Sequence, residues 1–154
     1  EKTMNYVENN LMRDEKVVYK ASIHWFIFVP GIVLFVISII LFGSGSESGG
    51  PIFGLITLII AIISLIKALI LKTTTELAIT TKRVIAKVGL IRRNTVELNH
   101  SKVESFNIDQ SIFGRIFGFG TLVVNGTGGG KTPIPSIDDP LEFRRNAMET
   151  IDAS

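Results

Sequence analysis

Two apolar runs, nine residues apart, set the terms for anything this chain can fold into. Trp25 to Phe42 carries no charge over eighteen positions, and Ile52 to Leu71 carries one, Lys67, over twenty. A helix of roughly 20 apolar residues crosses a hydrocarbon core about 30 Å thick, so both runs are long enough. The connector from Gly43 to Pro51, built mostly of Gly and Ser, supplies helix breakers and a turn. The pattern predicts a transmembrane hairpin with spans at residues 23–42 and 52–71 and an outer loop at 43–51. A pair of buried helices in a soluble core would keep a polar stripe, yet fourteen residues of the second run are Ile, Leu or Phe. At roughly −0.5 kcal/mol each these contribute about −7 kcal/mol to insertion, against about +3 kcal/mol for a central Lys. Lys67 lies near the end of its run, where its long stem carries the ammonium to the headgroups.

The flanks set the orientation. Lys2, Arg13, Lys16 and Lys20 precede the first span, Lys72, Lys82, Arg83 and Lys87 follow the second, and the loop holds only Glu47. Because Lys and Arg concentrate on the cytoplasmic side, both termini are expected in the cytoplasm. A second span follows the first at once, so no signal cleavage is expected, and the start at Glu1 rather than Met predicts a few leading residues before it. Net charge is only +2 over 154 residues, a slight basic excess and not a nucleic-acid-binding surface. With no Cys, disulfides, thiolate zinc sites and thiol nucleophiles are excluded.

Past Thr75 the continuous apolar run gives way to a period of two. Leu77 to Thr80, Val84 to Val88, Ile91 to Leu98, Val103 to Ile108, Thr121 to Asn125 and Thr132 to Ile137 read as strands. Turns are expected at Gly89-Leu90, Asn99 to Ser101 and Gly126 to Gly130. Val103, Ser105 and Asn107 should share one face of their strand, and Glu104, Phe106 and Ile108 the other. Pro133 and Pro135 push the last strand to a sheet edge. From Gln110 to Gly120, three glycines within seven residues predict a turn-like or short helical corner. The chain closes with a helix started by Asp139 as N-cap, Pro140 at its first position and Glu142 completing a capping box. Leu141, Arg144, Met148 and Ile151 lie on one side of it, with Ala147 beside them. A seventh strand candidate precedes the first span, Glu15 to Ile23, with Val17, Tyr19, Ala21 and Ile23 alternating. With both termini on one side of the membrane, this strand can join the same sheet.

Seven antiparallel strands and a closing helix describe a pleckstrin-homology-like (PH-like) barrel or sandwich. The stretches from Thr75 to Ile91, Leu98 to Ser105, Gly118 to Thr121, Gly126 to Gly129 and Pro140 to Arg144, with Leu11 to Lys16 ahead of them, carry a resemblance. From about Asn10 onward the chain resembles the bacterial pleckstrin-homology membrane proteins, in their small two-span, YdbS-like branch. The resemblance implies a membrane-bound domain without a fixed reaction. The expected fold is a membrane α+β protein whose hairpin is inserted between strands one and two. Residues 1–22 form the N-terminal cytoplasmic segment with the first strand, and residues 73–154 the cytoplasmic PH-like domain.

Candidate chemistry is sparse. Asn125 to Thr132 imitates a phosphate-binding loop, but Asn125 stands where the first Gly is required, and Pro133 and Pro135 forbid the helix that must follow. His24 precedes Trp25 at the expected membrane boundary and reads as interfacial, while His100 sits in a turn. No nucleophile stands beside a base, so no enzyme, cofactor or metal site is expected. Lys82, Arg83, Lys87, Arg92 and Arg93 flank the first hairpin of the domain and form a candidate contact for anionic lipid headgroups. Positive-inside bias and solvated strand faces explain the same residues. Gly54, Thr57, Ala61, Ser64 and Ala68, spaced by 3 and 4, lay a stripe of small residues along the second span. Gly31 and Ser38 on the first span can meet it, either within one hairpin or between protomers. The expected protein is a non-enzymatic binding or scaffold protein of the bacterial inner membrane. Its partners would be the bilayer and a second copy or another membrane protein. The alternative is an accessory subunit of a transport or export complex.

Overall fold

The computed structural model describes residues 6–89 and 92–154. Lys2, and the Leu90 and Ile91 positions of an expected turn and strand, lie outside the described residues. The chain divides into two compact units, one of residues up to His24 together with Lys72–Ser154, the other Trp25–Leu71.

The second unit is helical. A 3-10 turn, Trp25–Phe28, leads into α2 (Val29–Gly43), and α3 (Gly50–Thr74) follows a short loop. α2 admits Pro30 because an amide in its first turn would have no acceptor within the helix to lose. α3 runs beyond both ends of the expected 52–71 stretch. Pro51, expected in the turn, lies inside the first turn of the helix, where a proline is tolerated for the same reason. The helices are antiparallel: Gly31 of α2 lies against Leu65 of α3, and Phe42 near the end of α2 lies against Gly54.

The first unit is built from two antiparallel sheets. β1 (Val17–Ala21), β2 (Glu76–Thr80), β3 (Arg83–Val88) and β4 (Asn94–Asn99) form one sheet in that order, and β5 (Val103–Asp109), β6 (Phe119–Gly126) and β7 (Lys131–Asp138) form the other. β1 pairs with β2 across the whole helical stretch, with Lys20 opposite Ala78 and Ala21 opposite Leu77. An isolated bridge between Ile23 and Ile137 links the β1 side of one sheet to β7 of the other. β7, with its two prolines, is an edge of its sheet. Seven strands in two sheets with a C-terminal helix fit a PH-like fold.

Leu77, Ile79, Val84 and Ala86 from the first sheet and Phe106, Leu122, Val124 and Ile134 from the second are buried in the core. The helix α5 (Pro140–Asp152) contributes Phe143, whose ring lies 5.9 Å from that of Tyr19 and 6.1 Å from that of Phe106. One buried aromatic thus meets a strand of each sheet, and removing such a ring costs about 3–5 kcal/mol. Asp139 caps α5, its carboxylate accepting from the Glu142 amide at 3.2 Å. The other half of the expected capping box is replaced, because the Asp139 amide donates to Gly118 O at 2.9 Å.

Two sequence expectations need correcting. β2 is buried along its whole length and β3 up to Lys87, not on alternate residues. The reason is a second layer: Val7 of the short helix α1 (Tyr6–Asn9) forms a buried cluster with Ala78 and Ile85, flanked by Tyr6, Leu11 and Val17. On β5 the strict alternation fails at its start, where the register shifts between Val103 and Ser105 and leaves Glu104 exposed although Phe106 is buried.

Candidate cation and helix-packing sites

The outer face of β2 and β3 presents Glu76, Ala78 and Thr80 beside Arg83, Ile85 and Lys87, and residues 6–15 lie over it. Polar groups hold that cover down. Glu15 Oε1 accepts from Arg83 Nε at 3.0 Å and from the Thr80 hydroxyl at 2.6 Å, and Oε2 accepts from the Met12 amide at 2.6 Å. Arg83 also donates to Asn10 O at 2.6 Å and to the Glu97 carboxylate. Burial alone would raise the Glu15 carboxyl, but the hydrogen bonds from Arg83, Met12 and Thr80 outweigh it and hold it below its ordinary value. For Arg83, burial opposes the charged form, yet the carboxylates of Glu15 and Glu97 raise the guanidinium above its usual range. Glu76 completes the clamp by accepting from the Tyr6 amide at 3.0 Å and the Val7 amide at 3.1 Å, with Lys20 Nζ 3.8 Å away.

This geometry divides the five cations expected to meet headgroups. Arg83 is enclosed by its carboxylates, and Lys87 is fully buried. Among the described residues the Lys87 ammonium has no hydrogen-bond partner, and it sits 5.6 Å from the centre of the Tyr6 ring, whose hydroxyl donates to Glu97 at 3.1 Å. Neither residue presents a cation to a surface, because the face they share with Ile85 is the one the N-terminal segment covers. Lys82, Arg92 and Arg93 are exposed, but at opposite ends of β3. Lys82 lies in the β2–β3 turn and donates to Arg13 O at 2.7 Å. Arg92 and Arg93 lie beyond the pair Lys87 and Thr95, at the end where Glu76 opens β2.

The small-residue stripe is largely enclosed. Gly31, Ser38, Gly54, Ala61 and Ala68 are buried, and Thr57 and Ser64 are half-buried. A Cβ on Gly31 would come within 2.6 Å of Leu65 Cδ2, and one on Gly54 within 3.1 Å of the Phe42 ring. Ser38 and Thr57 turn their hydroxyls to Phe35 O and Phe53 O of their own helices, at 2.6 and 2.8 Å. Each backbone approach therefore has a partner within the same chain, at two levels of the helix pair.

Past β1, Ser22 to His24 run beside β7. The His24 amide donates to Ser136 O and the Asp138 amide to Ser22 O, each at 2.8 Å. His24, expected to be interfacial, is buried with its ring 5.2 Å from that of Phe119 and Nε2 3.8 Å from the Asp138 carboxylate. His100 is also buried, its Nε2 3.0 Å from Thr80 O. The stretch resembling a phosphate loop is the β6–β7 turn, closed by the Gly126 amide donating to Gly130 O at 2.8 Å. Among the described residues no three His, Asp or Glu gather as a metal set. The cover over β2 and β3 was missed in the sequence; its one signal is Val7 and Leu11 at helical spacing.

A family model described as a bacterial PH domain matches residues 26–150. No curated protein and no solved structure matches the chain.

Proposed function

The chain belongs to the bacterial PH domain family, and from that premise we propose that it is a non-enzymatic binding or scaffold protein anchored in the bacterial inner membrane. Its α2–α3 hairpin crosses the bilayer as an insertion between the first two strands of a PH-like barrel. Both termini lie in the cytoplasm. The observation that carries this reading is the exposure of the two helices, of which only 11% and 17% of the apolar window is buried. A core helix of a soluble protein buries most of such a surface, because each Å² of apolar area left in water costs about 25 cal/mol. Ile59, Ile60, Ile62 and Ile63 are each about half exposed, which suits hydrocarbon and not water. Cations on both flanks and none in the loop orient the hairpin. The Ile23–Ile137 bridge supports closure of the two sheets into a barrel.

Arg92 and Arg93 offer the domain an exposed cationic edge for anionic lipid, worth about 1 kcal/mol per residue near a charged leaflet. Because the small-residue stripe already has partners within the hairpin, this reading does not need a second copy to cover it. Topology tests it directly, since the chain has no Cys of its own. Cysteine at Ser46 in the loop should react with an impermeant thiol reagent on intact cells, and cysteine at Thr127 only after permeabilisation. The reverse pattern overturns the orientation; labelling of both from outside overturns the anchored hairpin.

A further inference from the structure

We propose that α4 (Ile112–Phe117), the helix joining β5 to β6, seats its apolar side chains in the interfacial layer of the bilayer and so docks the domain on the membrane. The proposal rests on the anchored reading above. Ile112 and Ile116 are 74% and 69% exposed, and Phe113 and Phe117 are 60% and 44% exposed. A surface in water scatters large apolar residues singly and does not put four on one six-residue helix.

The helix is held out firmly. Ser111 Oγ accepts from the Gly114 amide at 3.1 Å, and the Gly118 amide closes the helix on Gly114 O at 2.8 Å with φ at 80°. A Cβ at Gly114 would stand 2.5 Å from Phe119 O, so only glycine lets α4 lie this close to β6. The close seat turns Ile112 and Ile116 outward where a longer, looser connection would let them fold back.

Position supplies the occupant. Phe119, two residues past α4, packs against His24, and His24 is followed directly by Trp25, where the first candidate span begins. Ser22 to His24 bond to Ser136 and Asp138 of β7, while Gly120 and Phe119 pair with Ile137 and Asp138. The end of the domain that carries α4 is therefore the end from which the chain enters the bilayer. The second crossing returns there too, because Ala21 is opposite Leu77 at the start of β2. Arg92 and Arg93 lie at the start of β2 as well, and exposed Arg115 lies on α4 itself, which suits an anionic headgroup layer. Apolar side chains flanked by arginines are the composition of an interfacial anchor.

The test uses the full chain in vesicles of phosphatidylcholine and phosphatidylglycerol, with single cysteines at Ile60, Ile116 or Thr127 carrying an environment-sensitive fluorophore. Lipids spin-labelled near the headgroup or deep in the acyl chain serve as quenchers. The Ile116 probe should be blue-shifted and quenched by the shallow label, with Thr127, at the far end of β6, neither shifted nor quenched. The Ile60 probe should be quenched by the deep label. Quenching at Ile60 with Ile116 behaving like Thr127 overturns the docking of α4 and leaves the anchored hairpin standing. No quenching at Ile60 overturns the anchor, and the docking with it. A blue shift at Ile116 without quenching means that protein, such as a second copy, covers α4, and also overturns the proposal.

Discussion

Arg83 is the residue on which the N-terminal segment depends, since it reaches Glu15, Glu97 and Asn10 O at once. Removing one member of a buried ion pair leaves the other uncompensated and costs about 3–5 kcal/mol. Glu15→Gln is expected near the lower figure, because Arg83 keeps Glu97 and Asn10 O. The pH dependence has a definite sign. The Glu15 carboxyl is depressed in the folded state, so its contribution is fully present above the ordinary value of 4.5 and is lost as pH falls through the lower folded value. Melting the parent and Glu15→Gln in one detergent should give a stability gap that is constant near neutrality and closes in acid. A gap that persists in strong acid would assign the loss to packing and not to the ion pair. The sequence could not reveal this site. A period of two puts Arg83, Ile85 and Lys87 on one face, but what lies over that face is decided by Tyr6 to Glu15, about 70 positions away. Read locally, the same cations look solvated.

At the scale of elements, legibility follows how local the cause is. The two long apolar helices were legible because length and unbroken apolarity are local, and α5 because Asp139 and Pro140 announce its start. The corner at α4 was legible as a bend, but not its outward apolar face, which depends on Gly114 meeting the Phe119 carbonyl. The spacing of Gly54, Ala61 and Ala68 marked a packing face, while its partner was not legible, because one hairpin and two protomers use the same residues. Contacts at Gly31 and Gly54 now favour the hairpin. Ala61 is fully buried, so Ala61→Leu should cost about 1–3 kcal/mol by overpacking. Ile62→Leu, at a position 46% exposed, is the volume-conserving control and should melt like the parent. Subunit counting by native mass in the same detergent should give the same number for both. A changed count for Ala61→Leu would return the stripe to an interface between protomers.

Of the molecule's two units, the one that holds the sheets is assembled from two separated stretches of chain, and the helical unit lies between its paired strands β1 and β2 in chain order. β1 and the cover made by residues 6–15 together protect the edge of β2 and the outer face of β2 and β3. A fragment beginning at Lys72 should therefore expose the β2 edge and leave Arg83 and Lys87 on an open face, and it should aggregate. Splicing the domain instead of truncating it should rescue folding. Antiparallel partners such as Ala21 and Leu77 stand about 5 Å apart. A Gly/Ser linker of about six residues, reaching up to about 20 Å, can then replace Trp25–Leu71 and join His24 to Lys72. The spliced chain should be monomeric by light scattering, show the parent domain's strand content, and protect the amides of Tyr19 to Ala21 in hydrogen exchange. If the Lys72 fragment were equally monomeric and equally protected along β2, the N-terminal strand would be an accessory to the fold. If neither chain folded, the two stretches would need the two helices between them to find each other, and the helical hairpin would be part of the folding unit.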